Sequence, residues 1–162
     1  MPKLTELSQQ LANTLLQQQK QLAVAESCTG GWLAKCLTDI AGSSQWFERG
    51  FVTYSNLAKQ EMLGVLPATL EQEGAVSEAV VREMAAGVLS HSAADLSIAI
   101  SGIAGPGGGV PGKPVGTVCF GVAVKNENIQ SYTKHFEGNR EDVRRQSVVH
   151  ALSLLLHFFG HE

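Results

Sequence analysis

Leu4, Leu7, Leu11 and Leu15 recur at helical spacing and line one face of a segment spanning about 3–19. A short apolar run from Gln21 to Ala25 then predicts a buried strand. Helical spacing returns from about Gly30 to Asp39 and stops at Ala41-Gly42-Ser43-Ser44. Gly50 to Tyr54 predicts the next strand, Leu57 to Leu63 a short helix, and Pro67 to Glu71 a turn. Ser77 is placed to cap a longer helix through about Leu89, with Val80, Val81, Met84 and Val88 facing inward. Asp95 to Ser101 reads as a strand, and Gly102 to Pro114 as a loop rich in glycine and proline. Val115 to Val124 and Ile129 to Phe136 predict two strands joined by Lys125-Asn126-Glu127-Asn128. A helix from Arg140 to Phe159 closes the chain, burying Val143, Val148, Leu152 and either Leu155 or Leu156. Strands and helices interleave throughout, so the expected class is α/β: a single three-layer α/β/α domain over residues 1–162, with a mixed central sheet.

Composition narrows the function classes. The chain has 162 residues, 44% hydrophobic and 17% charged, which suits an ordinary globular protein with a full core. A net charge of −3 gives no electrostatic footprint for non-specific nucleic-acid binding. The 3 cysteines, Cys28, Cys36 and Cys119, form no CxxC pair, which argues for a reducing compartment and against a zinc site. No apolar run approaches a membrane span, and the expected setting is cytoplasmic. His157 and His161 are spaced for a metal on a helix, but Gly160 and the chain end intervene, so no metal site is expected.

The segment Ala25-Glu26-Ser27-Cys28-Thr29-Gly30-Gly31 places nucleophilic and hydrogen-bonding heads between a strand end and a helix start. Free N–H groups at such a start suit an anion or the oxyanion of acyl transfer. The plainer reading makes Ser27 or Thr29 an N-cap and the glycines a tight turn. A serine needs a base, and no histidine lies near the ends of the strands expected at 21–25, 50–54 and 95–101, so Lys59 is the best-placed partner if burial keeps it neutral. An ordinary surface lysine fits the same spacing. Tyr54 is placed to orient Lys59 or stack on a ring, and Arg140 and Arg144 share a helix face suited to a phosphate.

Three other motif matches fail on context. The loop from Gly107 to Pro114 satisfies G-x-x-x-x-G-K, but Pro114 follows where a metal-binding hydroxyl is needed. The same loop satisfies G-x-G-x-x-G, yet a strand rather than a helix follows. Ser131-Tyr132-Thr133-Lys134 spells S-x-x-K on a strand, where its two ends point to opposite faces.

AESCTGG at 25–31, GFVTYSNLAK at 50–59, GAVS at 74–77, SGIAGPGGG at 101–109, KPVGTV at 113–118 and NREDVRRQ at 139–146 resemble the CinA C-terminal domain family in order and spacing. The resemblance covers nearly the whole chain and is to the stand-alone form, without the additional N-terminal domain of larger CinA proteins. It implies hydrolysis of the carboxamide of nicotinamide mononucleotide, giving nicotinic acid mononucleotide and ammonia for NAD synthesis. It also implies a serine–lysine pair at Ser27 and Lys59, no cofactor, no nucleic-acid or membrane partner, and a homodimer or larger homo-oligomer. Under that reading Tyr54 assists catalysis. Substrate contacts are expected from Glu26, Cys28, Thr29, Gly30, Gly31, Asn56, Ser101, Gly102, Gly105, Arg140 and Arg144. Glu26 or an aromatic face would favour the cationic pyridinium ring. Cys28 beside Ser27 is a competing nucleophile. A non-catalytic nucleotide-binding module, or an amidase for another carboxamide, accommodates the same residues.

Overall fold

Alternation along the strands sorts side chains onto two unequal faces of one sheet. A computed structural model of the protein describes residues 3–159, so His161 lies outside the described residues. The elements are α1 (Leu4–Gln18), β1 (Leu22–Glu26), α2 (Trp32–Thr38), a 3-10 turn (Ser43–Gln45), β2 (Phe47–Val52), α3 (Asn56–Leu63) and α4 (Pro67–Glu73). They continue with α5 (Glu78–Ser90), β3 (Leu96–Gly102), β4 (Thr117–Val124), β5 (Gln130–His135) and α6 (Arg140–Phe159). The five strands lie in the order β2-β1-β3-β4-β5. β2, β1 and β3 run parallel, and β4 and β5 are added antiparallel, so the sheet is mixed.

Large side chains cover one face: Leu22, Val24, Leu96, Ile98, Ile100, Val118, Phe120 and Val122 pack under α1, α2 and α6. The other face is built from small residues, Ala23, Ala25, Ala99, Cys119 and Ala123, and takes α5 with the ends of α3 and α4. Small residues let α5 approach closely. Ser97 Oγ donates to Ala85 O at 2.8 Å, and a Cβ on Gly121 would overlap the Val81 carbonyl oxygen. α3 is seated against α5 in the same way, since a Cβ on Gly87 would overlap the Leu63 carbonyl oxygen. No helix among the described residues is long and apolar enough to cross a membrane.

The elements depart from expectation where the backbone, not the hydrophobic pattern, decides. β2 begins at Phe47 rather than Gly50, and its pairing with β1 slips between Leu22 and Ala23, which erases the period of two. It ends at Val52, because the carbonyls of Thr53 and Tyr54 turn to the Lys59 ammonium head instead of a neighbouring strand. The expected turn at Pro67 is helix α4, started by a proline whose missing N–H is not needed there. α2 begins at Trp32, since Gly30 and Gly31 hold φ of +61° and +104°. In α6 the buried partner is Leu155, with Leu156 only half-buried.

Candidate active site

Parallel strands deliver their carboxyl ends to one edge of the sheet, and there the chain changes direction. β1 ends at Glu26, and helix α2 then packs on the large-residue face, whereas α3 after β2 packs on the other. The crevice between these two departures is where the next residues fall. Ser27 follows β1, Thr53 and Tyr54 follow β2, and Ser101 and Gly102 end β3. Thr53 N–H donates to Glu26 O and Ser27 N–H to Ile100 O, which stitches the three strand ends together.

α3 starts with Ser55 as N-cap, its hydroxyl accepting from Ala58 N–H at 3.0 Å, and this fixes where Lys59 points. The Lys59 side chain is 1% exposed, and Nζ lies 3.0 Å from Ser27 Oγ. Nζ also donates to Thr53 O at 2.9 Å and Tyr54 O at 3.4 Å. No carboxylate pairs with it among the described residues. Burial therefore holds its pKa below the ordinary lysine value, partly opposed by the nearby Cys28. A neutral amine has two N–H donors and one lone pair. In that form, with both donors on the Thr53 and Tyr54 carbonyls, the lone pair is left for Ser27 Oγ, to which the charged form donates instead. Such an amine can accept the serine proton.

A cavity of about 280 Å³ opens beside this pair, lined by Ser27, Cys28, Tyr54, Asn56, Ser101, Gly102, Gly105 and Arg140, among others. Arg140 brings a positive charge to this lining and Lys59 brings its amine. Arg140 spans the mouth, donating to Gly105 O at 2.7 Å and to Tyr54 Oη at 3.1 Å. Tyr54 is 60% exposed, so it forms the rim rather than the floor. Gly102 has no room for a side chain, as a Cβ would sit 2.7 Å from Val118 Cγ2 and 3.0 Å from Cys28 Sγ. Ala75 and Val76 also line the cavity, although no functional role is expected of them from the sequence. Their motif was visible as GAVS, but small apolar side chains signal no chemistry. The Thr53 carbonyl is likewise invisible in sequence, being backbone.

Several expected contacts are directed elsewhere. Glu26 does not face the cavity: it is 1% exposed, and its carboxylate accepts from Gly31 N–H (3.2 Å), Leu33 N–H (2.9 Å) and Ala34 N–H (2.9 Å). The α2 amides that were expected to meet an anion are taken by this carboxylate, which neutralises the helix end. Arg144 does not line the cavity either. It donates through Nε to Cys28 O at 3.0 Å and through Nη2 to Thr29 O at 3.1 Å. Thr29, Gly30 and Gly31 border a separate shallow hollow with Trp32, Lys35 and Arg144. The Cys28 thiol is pushed up to about 11, first by burial, with the Arg144 guanidinium opposing. Among the described residues no group of His, Cys, Asp or Glu is placed to hold a metal ion.

Comparison with known proteins adds lineage to this geometry. The family model described as the CinA C-terminal domain matches residues 4–159. A curated relative from Enterobacter agglomerans, nicotinamide-nucleotide amidohydrolase PncC, is 54% identical over 157 residues, covering 97% of this chain and 96% of that protein. The protein of the same name from Escherichia coli (strain K12) is 54% identical over 152 residues, covering 94% and 92%. Among solved structures, a CinA superfamily protein from Klebsiella pneumoniae superposes with a TM-score of 0.95 at 40% identity, covering 99% of this chain and 100% of that one.

Proposed function

Because this chain belongs to the CinA C-terminal domain family, we propose that it hydrolyses the carboxamide of nicotinamide mononucleotide to nicotinic acid mononucleotide and ammonia, with Ser27 as nucleophile and Lys59 as general base. The observation that carries this reading is the buried Lys59 amine 3.0 Å from Ser27 Oγ, without a carboxylate among the described residues to hold it charged. Relatives named nicotinamide-nucleotide amidohydrolase, matched over nearly their full length, support the substrate.

In this mechanism Ser27 Oγ attacks the carboxamide carbon while its proton passes to the neutral Lys59 amine. The C=O electron pair becomes an oxyanion, which backbone N–H groups of the turn after Ser27 stabilise. Collapse breaks the C–N bond, and Lys59 returns the proton so that ammonia leaves. A water then loses a proton to Lys59 and attacks the Ser27 ester. The acid is released and Ser27 regains its proton. Arg140, at the cavity mouth, is the proposed ligand of the 5′-phosphate, exchanging its contacts to Gly105 O and Tyr54 Oη for phosphate oxygens. Asn56, Ser101, Gly102 and Gly105 form the walls around the ring and ribose.

The test is ammonia release from nicotinamide mononucleotide by wild type, Ser27→Ala and Cys28→Ala. Release that is lost in Ser27→Ala and kept within about threefold in Cys28→Ala is expected, since a thiol near 11 is almost wholly protonated at neutral pH. Loss in Cys28→Ala alone reassigns the nucleophile. Folded wild-type protein that binds the nucleotide without releasing ammonia overturns the amidase reading in favour of a binding module.

A further inference from the structure

The turn after Ser27 presents backbone N–H groups with contrasting partners. Gly30 N–H donates to Ser27 O, and Gly31 N–H to the Glu26 carboxylate. Thr29 N–H has no acceptor among the described residues, and Cys28 N–H meets only its own sulfur. Each of these two belongs to a trans peptide, in which N–H and C=O point in opposite directions. The direction of each N–H is therefore set by whatever holds the carbonyl of the same peptide. For Cys28 N–H that carbonyl is Ser27 O, held by Gly30 N–H at 3.0 Å. For Thr29 N–H it is Cys28 O, held by Arg144 Nε at 3.0 Å.

Arg144 approaches from the side away from the cavity. It lines the shallow hollow with Thr29, Gly30 and Gly31, whereas Cys28 and Ser27 line the cavity. Its guanidinium also holds Thr29 O at 3.1 Å and lies 5.5 Å from the centre of the Trp32 ring. The planar fork thus grips two consecutive carbonyls while an aromatic face supports it. From this we infer that Arg144 is a positioning residue of the reaction, acting through the Cys28–Thr29 peptide to aim Thr29 N–H at the oxyanion formed over Ser27. A cation on the carbonyl also polarises that peptide and makes its N–H a stronger donor. The inference rests on acyl transfer at Ser27, as proposed above, and removes Arg144 from phosphate binding.

Arg144→Met and Arg144→Lys test it by steady-state turnover of nicotinamide mononucleotide. The rate at which a fluorophosphonate labels Ser27 is a second readout. That probe carries no ribose phosphate, and its attack by Ser27 expels fluoride while Lys59 takes the serine proton. Arg144→Met is expected to lower kcat about 100-fold, the effect of one oxyanion donor, with KM changed less than about threefold. Labelling should slow in parallel. Lysine at this position should restore little, because an ammonium cannot span both carbonyls with one planar fork. A raised KM with unchanged kcat and unchanged labelling would overturn the inference and return Arg144 to the phosphate. A lowered melting temperature with kcat and labelling intact would overturn it in favour of a purely structural brace. Wild type that is labelled at Ser27 but releases no ammonia refutes the amidase reading alone, and the labelling rates then decide the role of Arg144.

Discussion

At the scale of single residues, Lys59 combines full burial with three oxygen partners and no counter-charge among the described residues, so its environment favours the neutral amine. A lysine whose pKa is lowered by folding destabilises the protein wherever it must be charged. Below the folded pKa the buried ammonium costs stability. As pH rises through that value toward the ordinary 10.5, the unfolded chain binds the extra proton and the cost disappears. Lys59→Met keeps the stem and removes the amine. It should lower turnover at least about 1,000-fold, as loss of the general base from a serine nucleophile implies. Its melting temperature should exceed wild type at neutral pH, and the gap should close as pH rises. Thermal melts of both proteins from pH 6 to 10 check this, and a wild type that is the more stable at neutral pH would contradict the neutral-amine picture. The pair itself was legible in sequence as two motif residues, but its contact was not. Ser27 and Lys59 are 32 residues apart, and only the pairing of β1 with β2 and the Ser55 cap bring them together.

At the scale of elements, α2 is only 7 residues long and would not persist alone in water. It is held by burial of Leu33 and Leu37 and by the Glu26 carboxylate on its first amides. Glu26 ends β1 one residue before Ser27, so strand, helix cap and Ser27 share one rigid junction. Glu26→Ala should cost about 2–4 kcal/mol, since it leaves buried N–H groups unpaired and removes a charge from the helix end. Glu26→Gln should cost about 1–2 kcal/mol, as one oxygen still accepts. Chemical denaturation measures both. If Glu26 instead served the pyridinium ring, stability would hold and KM for the nucleotide would rise. This arrangement left no trace in the sequence, because a glutamate bound to amides and a glutamate bound to a ligand read alike. Elements with strong patterns were legible: β1, β3 and β4 as apolar runs, and α1 and α5 by their periodicity. β2 lost its beginning to the slipped register, and α4 looked like a turn because Leu70 is its only buried residue.

At the scale of the whole molecule, the cavity is assembled from segments distant in the chain: Ser27 after β1, Lys59 on α3, the end of β3 with the residues that follow it to Gly108, and Arg140 at the start of α6. None of these segments forms the site alone. A ligand that spans from the Ser27–Lys59 pair to Arg140 therefore binds only the fully folded chain, and its binding energy adds directly to global stability. At 100 times its dissociation constant the gain is about 2.7 kcal/mol, which for a chain of this size raises the melting temperature by roughly 5–10 °C. Ser27→Ala keeps every other wall of the cavity, so nicotinamide mononucleotide should stabilise it as it stabilises wild type, while no ammonia appears. Arg140→Ala should lose most of that shift and retain the transition as a single cooperative step, because Arg140 reaches only the cavity mouth. Differential scanning fluorimetry of the three proteins across a nucleotide titration reads these outcomes. An undiminished shift in Arg140→Ala would move the phosphate to another part of the cavity, whereas loss of the shift in Ser27→Ala would make the serine a binding group before it is a nucleophile.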